Sequence, residues 1–145
     1  MNNWLQSYTM GSKIVFLYSR TIGEEIYMTI KVDNNYGAIY INNEVIATIA
    51  GAAAVECYGL VGMASRSATN GIVSLLKKEN LSKGVKIKAE EAGITIDLFV
   101  IIQFGTKISV VAQNIIERVK YSVENQTGLK VLKVNLNIEG VRVQG

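Results

Sequence analysis

The chain has 145 residues, a formal net charge of +3 and one cysteine, and it contains neither histidine nor proline. This length suits one domain that buries about two thirds of its unfolded surface, and so mild a charge does not by itself indicate nucleic-acid binding. The missing histidine removes the commonest general base and metal ligand, while a single cysteine excludes an internal disulfide and is typical of a reducing cytosol.

The first 27 residues contain one short apolar run, Ile14–Tyr18. Lys13 and Arg20 flank this run and no small-residue cleavage site follows, so the segment lacks the pattern of a signal peptide. We expect residues 1–27 to be an extension outside the native fold, and residues 28–145 to form the domain. The alternative is an added strand at a sheet edge, because Val15–Tyr18 (VFLY) has strong β-propensity.

The next part of the chain predicts a strand, a helix and a second strand. Either Asn42 or Asn43 caps the helix through its side-chain oxygen, and Gly59 is the expected C′ glycine that ends it. Cys57 lies on the apolar face of the helix and is therefore predicted to be a buried small hydrophobe rather than a nucleophile. The three predicted elements are Tyr36–Ile41, Glu44–Tyr58 and Val61–Ser65.

The second half of the chain predicts two more helices and three more strands. Gly128 stops the long helix, and Ser109 is its candidate N-cap. Its last strand alternates, with Lys133, Asn135 and Asn137 on the side opposite to the apolar residues. The predicted elements are the short helix Thr69–Lys78, a hairpin of Val85–Glu90 and Ile94–Phe104, the helix Ser109–Thr127 and the strand Val131–Ile138.

Together these elements predict an α+β fold in a single domain. We expect a mixed, mainly antiparallel sheet of about five strands, with the two main helices on one face and one short helix beside them. No run of about 18 apolar residues is present, and the longest candidate, Ile94–Ile102, is interrupted by Asp97, so no transmembrane segment is predicted.

The carboxylates do not form a catalytic pattern. Glu90 and Glu91 are neighbours at a hairpin, where adjacent side chains point to opposite faces, so they make a poor acid–base pair. Asp97 interrupts an apolar strand and must be paired if it is buried, with Lys107 or Arg66 as its expected partner. We therefore predict no catalytic, cofactor-binding or metal-binding residues and no enzymatic activity.

Two features could bind an anionic partner. A basic region could attract RNA or an anionic surface, although a solubilising face explains it equally simply. The segment Gly59–Leu60–Val61–Gly62 matches the GxxG pattern of the KH loop, which clamps a nucleic-acid backbone, but Leu60 and Val61 replace the usual basic residue. It is kept as a candidate interaction loop. The candidate anionic contacts are Lys77, Lys78, Lys83, Lys86 and Lys88.

Three segments carry a resemblance to a known family. Glu44–Met63 (EVIATIAGAAAVECYGLVGM), Gly71–Val85 (GIVSLLKKENLSKGV) and Thr95–Gly140 are similar, in order, to the alkaline shock protein family. These are small envelope stress response proteins of Gram-positive bacteria. The chain departs from the family at Ile108, near which members often have proline, and at Cys57, where they often have valine.

The resemblance implies a cytoplasmic, non-enzymatic protein of cell-envelope homeostasis that needs no cofactor. Some relatives are held at the membrane by a separate anchor protein and some assemble into larger structures, while short members are often encoded next to a fatty acid kinase. We therefore expect an interaction or scaffold protein in envelope stress response or maintenance, with itself and an envelope- or membrane-associated protein as partners and a functional link to a fatty acid kinase. The alternative is an RNA- or anionic-surface-binding module that uses the lysines of residues 77–88.

Overall fold

Two four-stranded sheets and two helices make up the part of the chain that the computed structural model describes, residues 5–10, 13–22, 25–64, 81–90 and 92–143. The predicted α+β class is confirmed, with eight strands in two sheets where the sequence suggests about five in one. The elements in chain order are β1 (Leu5–Met10), β2 (Lys13–Ile22), β3 (Glu25–Asn34), β4 (Gly37–Asn42), α1 (Asn43–Val55), β5 (Leu60–Met63), β6 (Val85–Glu90), β7 (Gly93–Gln103), α2 (Ile108–Thr127) and β8 (Val131–Arg142).

The first sheet is an antiparallel meander in the order β1-β2-β3-β4. A tight turn after Asn34 joins β3 to β4, and the side-chain oxygen of Asn34 accepts hydrogen bonds from the backbone N–H groups of Tyr36 (2.8 Å) and Gly37 (3.0 Å). Ile30 and Val32 of β3 are buried in the common core, and α1 contacts both β3 and β4. The assignment of residues 1–27 to an extension outside the native fold stays a prediction.

The second sheet is built around β7. β6 pairs antiparallel with Gly93–Leu98 and β5 pairs antiparallel with Val100–Ile102, so these two strands lie end to end along one edge of β7. β8 pairs parallel with β7 along the other edge, from Ile94 to Gln103. A parallel pair needs a crossover connection, which α2 supplies. β8 therefore extends to Arg142, beyond the predicted end at Ile138, because β7 offers pairing partners that far.

The core lies between the second sheet and the two helices. Alternate residues of β7 face the helices and are almost completely buried, and α2 contributes one buried residue at each turn of the helix. The facing residues are Ile94, Ile96, Leu98, Val100 and Ile102 of β7, Val111, Ile115, Val119 and Val123 of α2, and Ile46, Ala50, Ala53 and Ala54 of α1.

The helix boundaries correct two sequence predictions. Asn42 is the N-cap of α1 and its side-chain oxygen accepts from the backbone N–H of Glu44 at 2.9 Å, as expected. The helix ends at Val55 rather than Tyr58, with Glu56 as its C-cap, so Gly59 is not the C′ glycine. Gly59 instead adopts a left-handed φ of 88° in the turn before β5.

The start of α2 is also displaced from its prediction. Lys107, not Ser109, is the N-cap, and its side chain makes no capping hydrogen bond. The backbone of Lys107 is extended while its carbonyl accepts from the N–H groups of Val110 and Val111, so the N-cap lies two residues earlier than predicted. Gly128 ends the helix as predicted, with a φ of 72° and its N–H donated to the Glu124 carbonyl.

The remaining predictions divide between confirmed elements and residues outside the described part. The hairpin of β6 and β7 is confirmed, from Val85 opposite Leu98 to Glu90 opposite Gly93. The predicted short helix Thr69–Lys78 falls within residues 65–80, outside the described residues. Among the helices of the described residues, none combines the length and the apolar character that crossing a membrane requires.

Candidate functional site

A cleft opens where the C-terminal end of α1 meets the middle of α2. It has a volume of about 540 Å³ and is lined by Glu56, Cys57, Tyr58, Asn114, Glu117, Arg118 and Tyr121. α1 ends at Val55, so residues 56–58 leave the helix as an irregular turn and present their side chains toward α2. The cleft is therefore a product of the early helix end that the sequence did not predict.

The four α2 residues of the cleft lie on one face of the helix, because positions 114, 117, 118 and 121 follow the helical repeat. Glu117 and Arg118 are not among the candidate residues that the sequence predicts. The signal that could have marked them is the placement of amide, acid, base and tyrosine side chains at i, i+3, i+4 and i+7. Their approach to the end of α1 depends on tertiary packing, which that spacing does not reveal.

One ion pair crosses the cleft and two aromatic rings stand at its rim. Arg118 Nη2 donates to Glu56 Oε2 at 3.0 Å, and both side chains are more than half exposed. Tyr58 is 82% exposed and Tyr121 is 63% exposed. Because an exposed ion pair contributes little to stability, this arginine is readily available to another carboxylate.

Cys57 lines the cleft and is half-buried against the core, where the sequence predicts a buried small hydrophobe. Its Sγ donates to the Ala53 carbonyl at 3.6 Å. Burial raises the pKa of the Cys57 thiol, Arg118 opposes this effect, and Glu56 adds to it. A raised pKa leaves little thiolate at neutral pH, so the thiol is not activated as a nucleophile.

The alkylation rate of Cys57 tests this electrostatic balance. We expect slow alkylation by iodoacetamide at neutral pH, with a rate that rises through the alkaline range as the thiolate forms. Glu56→Gln should speed alkylation, because it removes a charge that disfavours the thiolate, whereas Arg118→Gln should slow it. Identical rates in the two variants would show that these side chains do not act on the thiol.

Asp97 is a structural carboxylate, but its partners differ from those predicted. Its Oδ1 accepts from Asn135 Nδ2 at 2.7 Å, and its Oδ2 lies 3.6 Å from Lys88 Nζ. Both partners come from the strands on either side of β7, so sheet register rather than proximity in sequence selects them. Lys107 instead caps α2, and Arg66 lies outside the described residues.

The lysines of β6 lie on the face of the second sheet that points away from the helices. Lys86 is opposite Asp97, and Lys88 is opposite Thr95. Lys133 of β8 flanks Thr95 from the other side, so it joins this outer face although the sequence reading did not include it among the anionic contacts. Lys83 is exposed in the turn before β6, and Lys77 and Lys78 lie outside the described residues. Binding of an anionic partner by these lysines stays a prediction.

The GxxG segment is largely strand rather than loop. Leu60, Val61 and Gly62 belong to β5, and the Gly59 carbonyl accepts from the backbone N–H of Gln103. Leu60 is half-buried and packs against the core. The backbone that would clamp a nucleic acid is thus engaged in the sheet, while an interaction role for this segment stays a prediction.

Two further carboxylates in the described ranges also serve the fold. Glu90 Oε1 accepts from Thr95 Oγ1 at 2.6 Å, and Glu124 Oε1 accepts from the backbone N–H of Val131 at 3.1 Å. Glu91, the predicted neighbour at the hairpin, lies outside these ranges. Within them, no three acidic or cysteine side chains gather in a way that could hold a metal ion.

Comparisons with known proteins identify the family. Residues 31–143 match the family of alkaline shock protein 23, described as having a cell envelope-related function. The chain is 50% identical over 117 residues to the uncharacterized protein YloU of Bacillus subtilis, which covers 80% of this chain and 98% of that protein. It is 44% identical over 119 residues to the uncharacterized protein Spy1614 of Streptococcus pyogenes serotype M6, covering 81% of this chain and 98% of that protein.

A third relative, the uncharacterized protein YqhY of Bacillus subtilis, is 37% identical over 110 residues, which are 76% of this chain and 81% of that protein. No solved structure matches the chain. The resemblance to the alkaline shock protein family is confirmed by these matches. The chain therefore belongs to the alkaline shock protein family, whose function is related to the cell envelope.

Proposed function

We propose that this chain is a non-enzymatic interaction protein of cell-envelope homeostasis, which docks an envelope-associated protein in the cleft between α1 and α2. The family relation supports the envelope part of this proposal. The cleft, with two exposed tyrosines and an arginine, is the observation that carries the interaction part.

The composition of the cleft suits a protein partner. Tyrosine and arginine are enriched in the residues that dominate the free energy of protein–protein binding, because a large rigid ring and a planar cation bury much surface with few rotatable bonds. Tyr58 and Tyr121 leave most of their surface open to such a contact. The guanidinium of Arg118 can accept a carboxylate of the partner in place of Glu56. We therefore infer that the bound segment carries an acidic residue beside an apolar one.

The engagement of the carboxylates supports a role without catalysis. Four carboxylates have a hydrogen-bonding partner within the fold, namely those of Glu56, Glu90, Asp97 and Glu124. An acid–base catalyst would need a carboxylate that reaches a substrate proton instead. Because these carboxylates are used within the fold, docking of a partner explains the exposed cleft better than catalysis does.

The cellular setting of the proposal follows from the resemblance and from the cysteine. The resemblance implies a cytoplasmic location, and a free thiol at Cys57 supports it, because a reducing compartment keeps thiols free. Its partner would then sit at the inner side of the envelope, as the anchor proteins of some relatives do. The same resemblance supports self-association and a functional link to a fatty acid kinase.

The test is recovery and binding of one defined envelope protein. The chain is purified from its host under native conditions, nuclease is added, and the membrane- or envelope-associated protein that stays bound is identified and then purified. We expect Tyr58→Ala and Tyr121→Ala each to raise its dissociation constant by at least about tenfold, which is typical when a residue central to an interface is truncated. Tyr36→Ala, a fully exposed tyrosine at the β3–β4 turn, is the matched control and should bind normally.

Equal binding by all three variants would remove the cleft from the proposal. Loss of every protein partner on nuclease treatment would instead favour RNA binding. The observation that favours this second function is the shared outer face of Lys86, Lys88 and Lys133. In that case affinity should fall steeply with salt, and charge reversal at Lys86 and Lys133 should abolish it.

A further inference from the structure

We propose that β8 pairs antiparallel with β8 of a second copy of this chain, centred on Leu136, so that the second sheets of two copies join into one. The inference rests on the proposed interaction function and names one partner and its surface. It uses the edge of the sheet and not the cleft, so each can be tested without the other.

The proposal concerns the edge of β8 that points away from β7. β8 pairs with β7 through one edge, and no strand in the described part of the chain pairs with its other edge. Unpaired backbone N–H and C=O groups along a strand are a ready template for another strand. Addition of a strand at such an edge is a recurrent mode of protein association.

The sequence of β8 reads similarly in both directions about Leu136. Antiparallel pairing of two copies about this residue sets Leu136 against itself, and each neighbouring pair then joins residues of the same character. These pairs are Asn135 with Asn137, Val134 with Ile138, and Lys133 with Glu139. A two-fold axis requires this kind of self-complementarity, because each copy presents the same surface to the other.

The two faces of the joined sheet also match. Val134, Leu136 and Ile138 lie on the side of the core, whereas Asn135 and Asn137 are exposed. Leu136 and Ile138 are only half-buried in one copy, so pairing would cover apolar surface that is still open to solvent. A shift of one residue would set polar against apolar side chains, which makes that register unfavourable.

Several registers of the β8–β8 pair set apolar against apolar and polar against polar side chains. Among them, the charged residues favour the register centred on Leu136. Lys133 and Glu139 are both exposed, and neither forms an ion pair with another of the described residues. With the centre at Leu136, each Lys133 lies opposite Glu139 of the other copy, which gives two attractive pairs for each dimer. Centring on Asn135 or Asn137 loses both of these pairs.

Irregularities in the pairing with β7 define the length of the contact. The register shifts between Val131 and Lys133, and again between Ile138 and Gly140. The edge is therefore regular from Lys133 to Ile138, so Lys133 begins this segment and Glu139 follows directly after it. Such irregularities bend a strand edge and end its pairing, so the contact closes as a dimer with a short, defined register.

The experiment is a charge exchange followed by sedimentation equilibrium over a range of protein concentrations. We expect the wild-type full-length chain to dimerise, and Lys133→Glu or Glu139→Lys alone to raise the dimer dissociation constant by about tenfold, because each places two like-charged pairs across the edge. The double variant K133E/E139K should restore dimerisation, since it exchanges the two charges. Lys120→Glu, an exposed change of the same charge on α2, is the control and should leave dimerisation unaffected.

Rescue by the double variant would support this register directly, because the two positions lie opposite each other only across a dyad at Leu136. A monomeric wild-type chain would overturn the inference, and so would a dimer that is insensitive to both single changes. Neither result would bear on docking in the cleft, because that proposal is tested separately by binding of the tyrosine variants to the envelope protein. Conversely, failure of the tyrosine test with successful charge rescue would leave self-association as the interaction that this chain performs.

Discussion

Gly51→Ala is expected to lower the free energy of unfolding by about 2 kcal/mol or more, although alanine is the better helix former. Gly51 lies in the middle of α1 and is buried against the turn that precedes β6. A β-carbon at this position would overlap the carbonyl group of Leu81. That group is backbone, so neither a rotamer change nor a flexible side chain can relieve the overlap, and α1 would have to move away from its neighbours.

The expected loss of stability is opposite in sign to the usual effect of Gly→Ala in a helix. In an exposed helix, Gly→Ala stabilises by about 1 kcal/mol. Chemical denaturation of the wild type and the variant measures the difference. Thr48→Ala, at an exposed position nearly one turn earlier in α1, is the control and should change stability by less than about 0.5 kcal/mol. A more stable Gly51→Ala protein would mean that α1 does not pack against Leu81 this closely.

Leu98→Ala is expected to lower the free energy of unfolding by about 2–5 kcal/mol, since it removes core methyl groups and leaves a cavity. Leu98 is completely buried. It lies at the centre of β7, opposite Val85 of β6 on one side and Leu136 of β8 on the other. Neighbouring strands on both sides hold the backbone in place, so the site cannot collapse readily and the cost should fall in the upper part of this range.

Denaturation by urea, monitored by circular dichroism, measures the loss. Lys86→Ala is the comparison, because it alters the same sheet on its exposed outer face and should cost less than about 0.5 kcal/mol. A loss of similar size in both variants would contradict the assignment of this face of β7 to the core. A marginally stable domain would unfold outright with Leu98→Ala, and its failure to fold would agree with the expectation.

The parts of the fold that the sequence predicted are those that local pattern determines. β6 has the predicted bounds because Val85 and Ile87 alternate with Lys86 and Lys88. Asn42 and Gly128 mark helix ends through chemistry that acts within a few residues. Each of these signals is complete in a short window of sequence.

The parts that it missed depend on residues distant in sequence. The partners of Asp97 follow from the register of β6 and β8 with β7. The cleft requires α1 to end at Val55, which brings Tyr58 into the same cleft as Tyr121, although Gly59 suggests a longer helix. Sequence pattern also cannot say that β8 runs parallel to β7, because alternation is the same in both directions.

The position of β8 after α2 has a consequence for synthesis of the protein. β7 leaves the ribosome well before its partner on the parallel edge, and α2 must be made before β8 can return to it. During that interval the most apolar strand of the second sheet has an open edge. Unpaired apolar edges are prone to aggregation, so a chain that lacks β8 is expected to aggregate. Synthesis of β8 is thus the step that covers this edge and removes the risk of aggregation.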